Sequence, residues 1–212
     1  MDFKVEVTQL TEDTIVNEFG SVPTQNKTRI SLAKWIASEH SPIRALQFKI
    51  KLIGIPAYVA YHFKTHAAGV AVQVTESNRA DYEDMYGKVV TTDRLAPVTH
   101  TMIVNAQTLI DMAYDRLCTT ADVNTVKVME AIKDSVHEVN PVVARFMVVK
   151  CVFRGGLCPE TFAKCYYNHT PKFRKEFNDY AANFKYDPKM QELMERNFGE
   201  ESFVKNYTIR KR

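Results

Sequence analysis

Between Ala45 and Val74 the chain alternates between two hydrophobic periods in quick succession. Leu46, Phe48, Ile50 and Leu52 recur every second residue, the period of a half-buried strand from Ala45 to Ile53. Gly54 and Pro56 mark a turn into a helix predicted from about Pro56 to His66, with proline in the tolerated first turn. Val70, Val72 and Val74 return to the period of two. Upstream, Phe3 to Val7 reads as a strand, and Ile30 to Ser38 as a short helix halted at Ser41-Pro42, since the residue before proline avoids helical angles.

Downstream, Ala80 to His100 is polar and rich in turn residues and reads as a long functional loop. Two helices are expected next. Ala106 to Cys118 sets Leu109, Ile110, Ala113 and Leu117 on one side, and Val123 to His137 does the same with Val126, Met129, Ile132 and Val136. Pro141 opens a further short helix. The few interleaved strands and late-clustering helices predict an α+β fold, a small mostly antiparallel sheet packed with helices, rather than a doubly wound parallel sheet. Residues 1–150 form the expected core, and 151–212 a C-terminal helical extension of the same domain.

Composition narrows the class. With 212 residues, 45% hydrophobic and 25% charged, the chain has the balance of a globular protein with one sizeable core. No apolar run approaches the roughly 20 residues of a membrane span. The opening Met1-Asp2-Phe3-Lys4 has no basic-then-apolar leader, and four cysteines suit a reducing compartment, so a cytoplasmic location is expected. The net charge of +3 owes much to a basic end, Lys205 and Arg210-Lys211-Arg212, which reads as a solvated terminus in preference to a nucleic-acid arm.

Three passages carry side chains suited to a phosphate and a planar ligand: His40-Ser41-Pro42-Ile43-Arg44; His62 to Arg79, with His66 and the Ser77-Asn78-Arg79 turn; and Asn105-Ala106-Gln107 leading to Arg116 on a helix. There is no Gly-rich phosphate loop, so a nucleotide would be held by side chains and helix ends. No Ser-His-Asp or Cys-His nucleophile arrangement is found. His62 and His66 are four apart on a helix but lack a third metal ligand at suitable spacing. Cys151, Cys158 and Cys165, with His169 beyond, lack the close pairs of structural zinc sites and read as free thiols, so no metal is expected.

The order and spacing of these passages resemble the flavin-dependent thymidylate synthases, especially a divergent branch found in bacterial viruses, over roughly residues 30–150. The resemblance implies a thymidylate synthase-complementing type fold, a homotetramer with shared sites, FAD as cofactor, and methylenetetrahydrofolate and NADPH as co-substrates. It implies methylation of deoxyuridylate to thymidylate, in the host cytoplasm if the source is viral. Methylation or hydroxymethylation of deoxycytidylate would leave the same outline.

By the same resemblance, Arg116 is the catalytic guanidinium beside the pyrimidine, and His62, Ser77 and Arg79 join it in binding substrate. Ser41, Arg44, Thr65, His66, Asn105, Gln107 and Asp111 fall at flavin-contacting positions. Thr65 and Gln107 stand where arginines are usual, and Tyr82 where the viral branch often keeps one. These replacements motivate a second expectation, a non-catalytic nucleotide-binding member that lost flavin.

Overall fold

The computed structural model describes residues 2–25, 29–65, 69–76, 93–162 and 164–184. Ser77, Arg79, His66, Tyr82 and the basic end at 205–212 lie outside the described residues, as does most of the 80–100 segment.

A four-stranded sheet orders β1 (Lys4–Gln9), β2 (Gln47–Pro56), β4 (Pro97–Asn105) and β3 (Val70–Thr75) as β1-β2-β4-β3. All three pairings are antiparallel. The expected α+β architecture is thus observed. Alternation decides the faces. Phe48, Ile50 and Leu52 on β2 lie across from Val104, Met102 and His100 on β4, and all six are fully buried. Lys49 and Lys51 point the other way, to solvent.

Strand β4 corrects the expectation of a loop running to His100. Its residues Val98, His100, Met102 and Val104 are buried at every second position. The period of two was present, but His100 as a core residue and Pro97 at the strand's start disguise it.

Strand β3 holds a second correction. Val70 pairs with Val104 on the buried side, but a register shift before Val72, which pairs with Ile103, turns the following residues over. Val72 and Val74 are therefore 54% and 61% exposed. A one-residue bulge exchanges the two faces of a strand.

Eight α-helices are described. Helix α1 (Thr14–Thr24), for which the sequence offered no expectation, and α2 (Leu32–Ala37) precede a 3-10 turn at Ser41–Ala45. Helix α3 (Ala57–Lys64) follows β2 directly, and α4 (Ala106–Arg116) follows β4. Then come α5 (Val123–Val139), α6 (Pro141–Phe146), α7 (Lys150–Phe153) and α8 (Pro171–Ala181). On α5 the buried positions are Thr125, Val128, Met129, Ile132 and Val136, so Val128 takes the core place expected of Val126.

The described part of the C-terminal segment packs through one periodic helix face. Phe173, Phe177, Tyr180 and Ala181 form one stripe of α8, and all join the same hydrophobic cluster as Trp35, Ile43 and Phe48. Thr170 caps this helix by accepting from the Phe173 N–H. Phe173 is 1% exposed. Phe173→Ala is expected to cost about 3–5 kcal/mol. Chemical denaturation followed by two probes should show one earlier transition for the whole chain rather than separate melting of the C-terminal segment.

Candidate active site

The site lies where the end of α3 meets the end of α4. The Arg116 Nη2 donates to the His62 carbonyl oxygen and to Thr65 Oγ1, both at 2.9 Å. Thr65 Oγ1 in turn donates to the same His62 carbonyl at 2.8 Å. A carbonyl at a helix C-terminus has no intrahelical partner and carries partial negative charge, so a guanidinium there satisfies it doubly. Two passages more than fifty residues apart thereby share one hydrogen-bonded knot. Thr65 serves Arg116: its hydroxyl is engaged within the protein rather than offered outward.

Arg116 is half-buried, and its Nε is buried without an acceptor among the described residues. Desolvation lowers its pKa from the ordinary arginine value, opposed by the charge of Asp115. The group remains a cation at neutral pH. It lines a pocket of about 380 Å³ together with Lys150, Thr119, Thr120 and all four cysteines. Lys150 Nζ pairs with Asp115 at 2.6 Å on the pocket's wall.

His62 is oriented from behind. Its Nδ1 lies 2.7 Å from Thr125 Oγ1, and its ring meets Tyr58 edge-on with centroids 5.6 Å apart. Thr125 and Tyr58 both donate to Asp122 Oδ1, each at 3.2 Å. Sequence reasoning passed over these three. The Asp122-x-x-Thr125 spacing was legible as a helix N-cap, but its contact with His62 arises across 63 residues.

The positions expected at flavin divide into two sets. Asn105 caps α4: its Oδ1 accepts from the Thr108 N–H and its Nδ2 donates to the Gly69 carbonyl. Gly69 has φ +81°, and a Cβ there would come within 2.0 Å of Thr108 Oγ1, so this contact demands glycine. Asn105 and Thr65 are thus committed to internal bonds.

Ser41 and Arg44 are exposed on the 3-10 turn that packs against α4. On α4, Gln107 Nε2 donates to Asp111 Oδ1 at 2.9 Å. Desolvation raises the Asp111 pKa, while the Gln107 hydrogen bond and the Arg44 charge pull it down. Gln107 also edges an aromatic cavity of about 420 Å³, where Tyr114 and Phe153 stack at 4.4 Å. Arg44, Gln107 and Asp111 supply a cation, an amide and a carboxyl on an open face, a donor and acceptor set that suits a flavin.

The cysteines are free, and burial pushes the Cys151 thiol up to about 12. Among the described residues no three His, Cys, Asp or Glu side chains converge as metal ligands. Nor is any described helix long and apolar enough to cross a membrane.

Against known proteins, no family model and no curated sequence matches this chain. Solved structures do match. The UMP/dUMP methylase PolB from Streptomyces cacaoi, bound with 5-Br dUMP, aligns over 68% of this chain and 94% of its own, at 13% identity and a TM-score of 0.52. This chain shares the PolB fold. PolB bound with 5-Br UMP aligns over 68% and 93% at 13% identity and 0.48. Thymidylate Synthase X from Helicobacter pylori, with FAD and dUMP, aligns over 66% and 99% at 12% identity and 0.48.

One buried group was absent from the expectations. His100 is fully buried on β4, with Nδ1 2.8 Å from Thr75 Oγ1 and Nε2 unpartnered among the described residues. Desolvation, helped by the nearby charge of Lys64, lowers its pKa to about 4. The unfolded chain, with an ordinary histidine value near 6.5, binds this proton more readily than the folded one. Stability is therefore complete above about pH 6.5 and is lost as pH falls toward 4. The unfolding temperature should drop between pH 7 and pH 4.5, and His100→Asn should flatten that drop.

Proposed function

We propose that this protein transfers a one-carbon unit to C5 of a pyrimidine deoxynucleotide, with deoxyuridylate as substrate and thymidylate as product. The observation that carries the reading is the Arg116 knot: the guanidinium assigned to catalysis is held by the His62 carbonyl on α3 and by the hydroxyl of Thr65, the residue after that helix. The PolB fold supports it, since that protein is described as a UMP/dUMP methylase.

Arg116 faces the reacting base in this scheme. C5 must supply the electron pair that bonds to the incoming carbon. The electron-rich, enolate-like form of the ring that does so carries negative charge on its carbonyl oxygens, and a cation at fixed distance stabilises that charge more than it stabilises the neutral base. Partial burial strengthens that field. Two hydrogen bonds to the end of α3 keep Nη2 in place, leaving the other edge of the guanidinium for substrate. His62 contacts the base, and Ser77 and Arg79 take the phosphate, for which a hydroxyl and a planar fork of donors are suited. Methylenetetrahydrofolate brings the carbon.

Arg44, Gln107 and Asp111 would hold FAD together with Ser41, and the family resemblance assigns His66 to the same cofactor. When bound, the flavin supplies the reducing equivalents that turn the transferred carbon into a methyl group, and NADPH replenishes them. Val72 and Val74 on the edge strand's outer face suit burial against another subunit, consistent with a homotetramer. Residues 1–150 are assigned as the catalytic core, and 151–212 as a helical extension of the same domain.

The alternative is a nucleotide-binding member without flavin, favoured by the engagement of Thr65 with Arg116 instead of a cation at that place. The two part in a simple experiment. The purified protein is incubated with FAD, desalted, and scanned between the near-ultraviolet and visible. A retained flavin band together with thymidylate formation upholds the proposal. Persistent lack of colour, with deoxyuridylate still raising the unfolding temperature, selects the alternative. In the active case Arg116→Ala is expected to lower kcat at least about 100-fold. Arg116→Lys should recover little, because an ammonium cannot bridge carbonyl, hydroxyl and base in one plane. An Arg116→Ala variant with unchanged kcat would remove Arg116 from the mechanism.

A further inference from the structure

His62 has two ring nitrogens, and the protein has already used one of them. Its Nδ1 is 2.7 Å from the hydroxyl of Thr125, a residue with no solvent exposure. Which atom carries the shared proton follows from what lies behind Thr125. Asp122 Oδ1 accepts from the Thr125 hydroxyl at 3.2 Å and from the Thr125 and Asn124 backbone N–H groups at 3.0 Å. It also accepts from the Tyr58 hydroxyl, which itself accepts from Asn124 Nδ2 at 2.6 Å. Burial works to raise the Asp122 pKa, but the hydrogen bonds from Thr125, Tyr58 and Asn124 outweigh it and hold the group below the usual carboxylate range.

An ionised carboxylate is an acceptor only, and a threonine hydroxyl has one proton. If that proton went to His62, the Thr125 oxygen would face the carboxylate lone pair to lone pair. If it goes to Asp122, each oxygen and nitrogen finds a complementary partner, and the chain Asp122–Thr125–His62 polarises in one direction. The second arrangement requires the proton of a neutral His62 to sit on Nδ1. Nε2 is then a bare acceptor.

We propose that Thr125 and Asp122 are positioning residues that lock neutral His62 in its Nδ1–H form, so that Nε2 accepts a hydrogen bond from an N–H of the pyrimidine base. The base contact rests on the function proposed above; the tautomer does not. The relay sets a specificity: a base offering only acceptors at that edge is refused, because two lone pairs would face each other. Tyr58, packed edge-on against the imidazole, keeps the ring from rotating out of line.

The full-length protein carrying 15N-labelled histidine is examined by NMR at about pH 8, where an ordinary imidazole is neutral. Deoxyuridylate affinity is measured by calorimetry on the same samples. Wild type should show a protonated Nδ1 and a pyridine-type Nε2. Thr125→Val, similar in shape but unable to accept, should move His62 toward the Nε2–H form and raise the Kd for deoxyuridylate about fivefold to tenfold, the scale of one ordinary hydrogen bond. Thr125→Ser should restore both readouts.

A wild-type spectrum with the proton on Nε2 overturns the relay, whatever the variants do to stability. A tautomer that shifts in Thr125→Val with unchanged deoxyuridylate affinity overturns the base contact. If wild type shows the Nδ1–H form but binds neither deoxyuridylate nor deoxycytidylate, the proposed function fails and takes the base contact with it, while the lock on His62 stands.

Discussion

The central pairing of β2 with β4 is the constraint on which the rest of the molecule depends. These two strands bury six facing side chains, including His100, and each hands the chain directly to a helix that lies over the buried face. Because α3 and α4 are both anchored through β2 and β4, their relative placement is set by sheet register. A slip of one residue would turn Phe48, Ile50 and Leu52 to solvent. It would also pull Arg116 away from the His62 carbonyl.

Upon that frame the site is assembled from helix ends. The Arg116 guanidinium occupies the unsatisfied C-terminal carbonyl region of α3, and Asp122 satisfies the unsatisfied N–H groups at the start of α5. Both arrangements are ordinary helix-capping chemistry. Both also position a functional group, since the first orients a cation and the second reaches through Thr125 to orient an imidazole. Stability and positioning draw on the same hydrogen bonds here, so substitutions at Thr65, Asp122 or Thr125 disturb the site through the scaffold as well as directly.

Much of the fold was legible because hydrophobic period is a local signal. The spans of β2, α3, α4 and α5 follow from residues two or about four apart. Where local period misled, a specific feature intervened. A buried histidine concealed β4, a bulge between Val70 and Val72 reversed the outward face of β3, and aromatic spacing on α8 was hidden among charges. On α5, Met129, Ile132 and Val136 keep their expected places against β1 and α6, while Val128 is buried with them and Val126 falls at the margin of the stripe.

What the sequence determined by itself, then, was the kinds of elements, their order, and a set of polar side chains suited to a nucleotide. Those depend on neighbours along the chain. Only the tertiary structure decided how the polar groups are used: Asn105 and Thr65 spend their hydrogen bonds within the protein, Arg44, Gln107 and Asp111 remain on an open face, and Thr125 stands behind His62. The physical reason is distance along the chain. A hydrogen bond acts over about 3 Å in space, and the contacts that define this site join residues 51 to 63 positions apart. No local pattern records which of several possible donors will arrive at a given acceptor; the packing of α3, α4 and α5 on the sheet makes that choice.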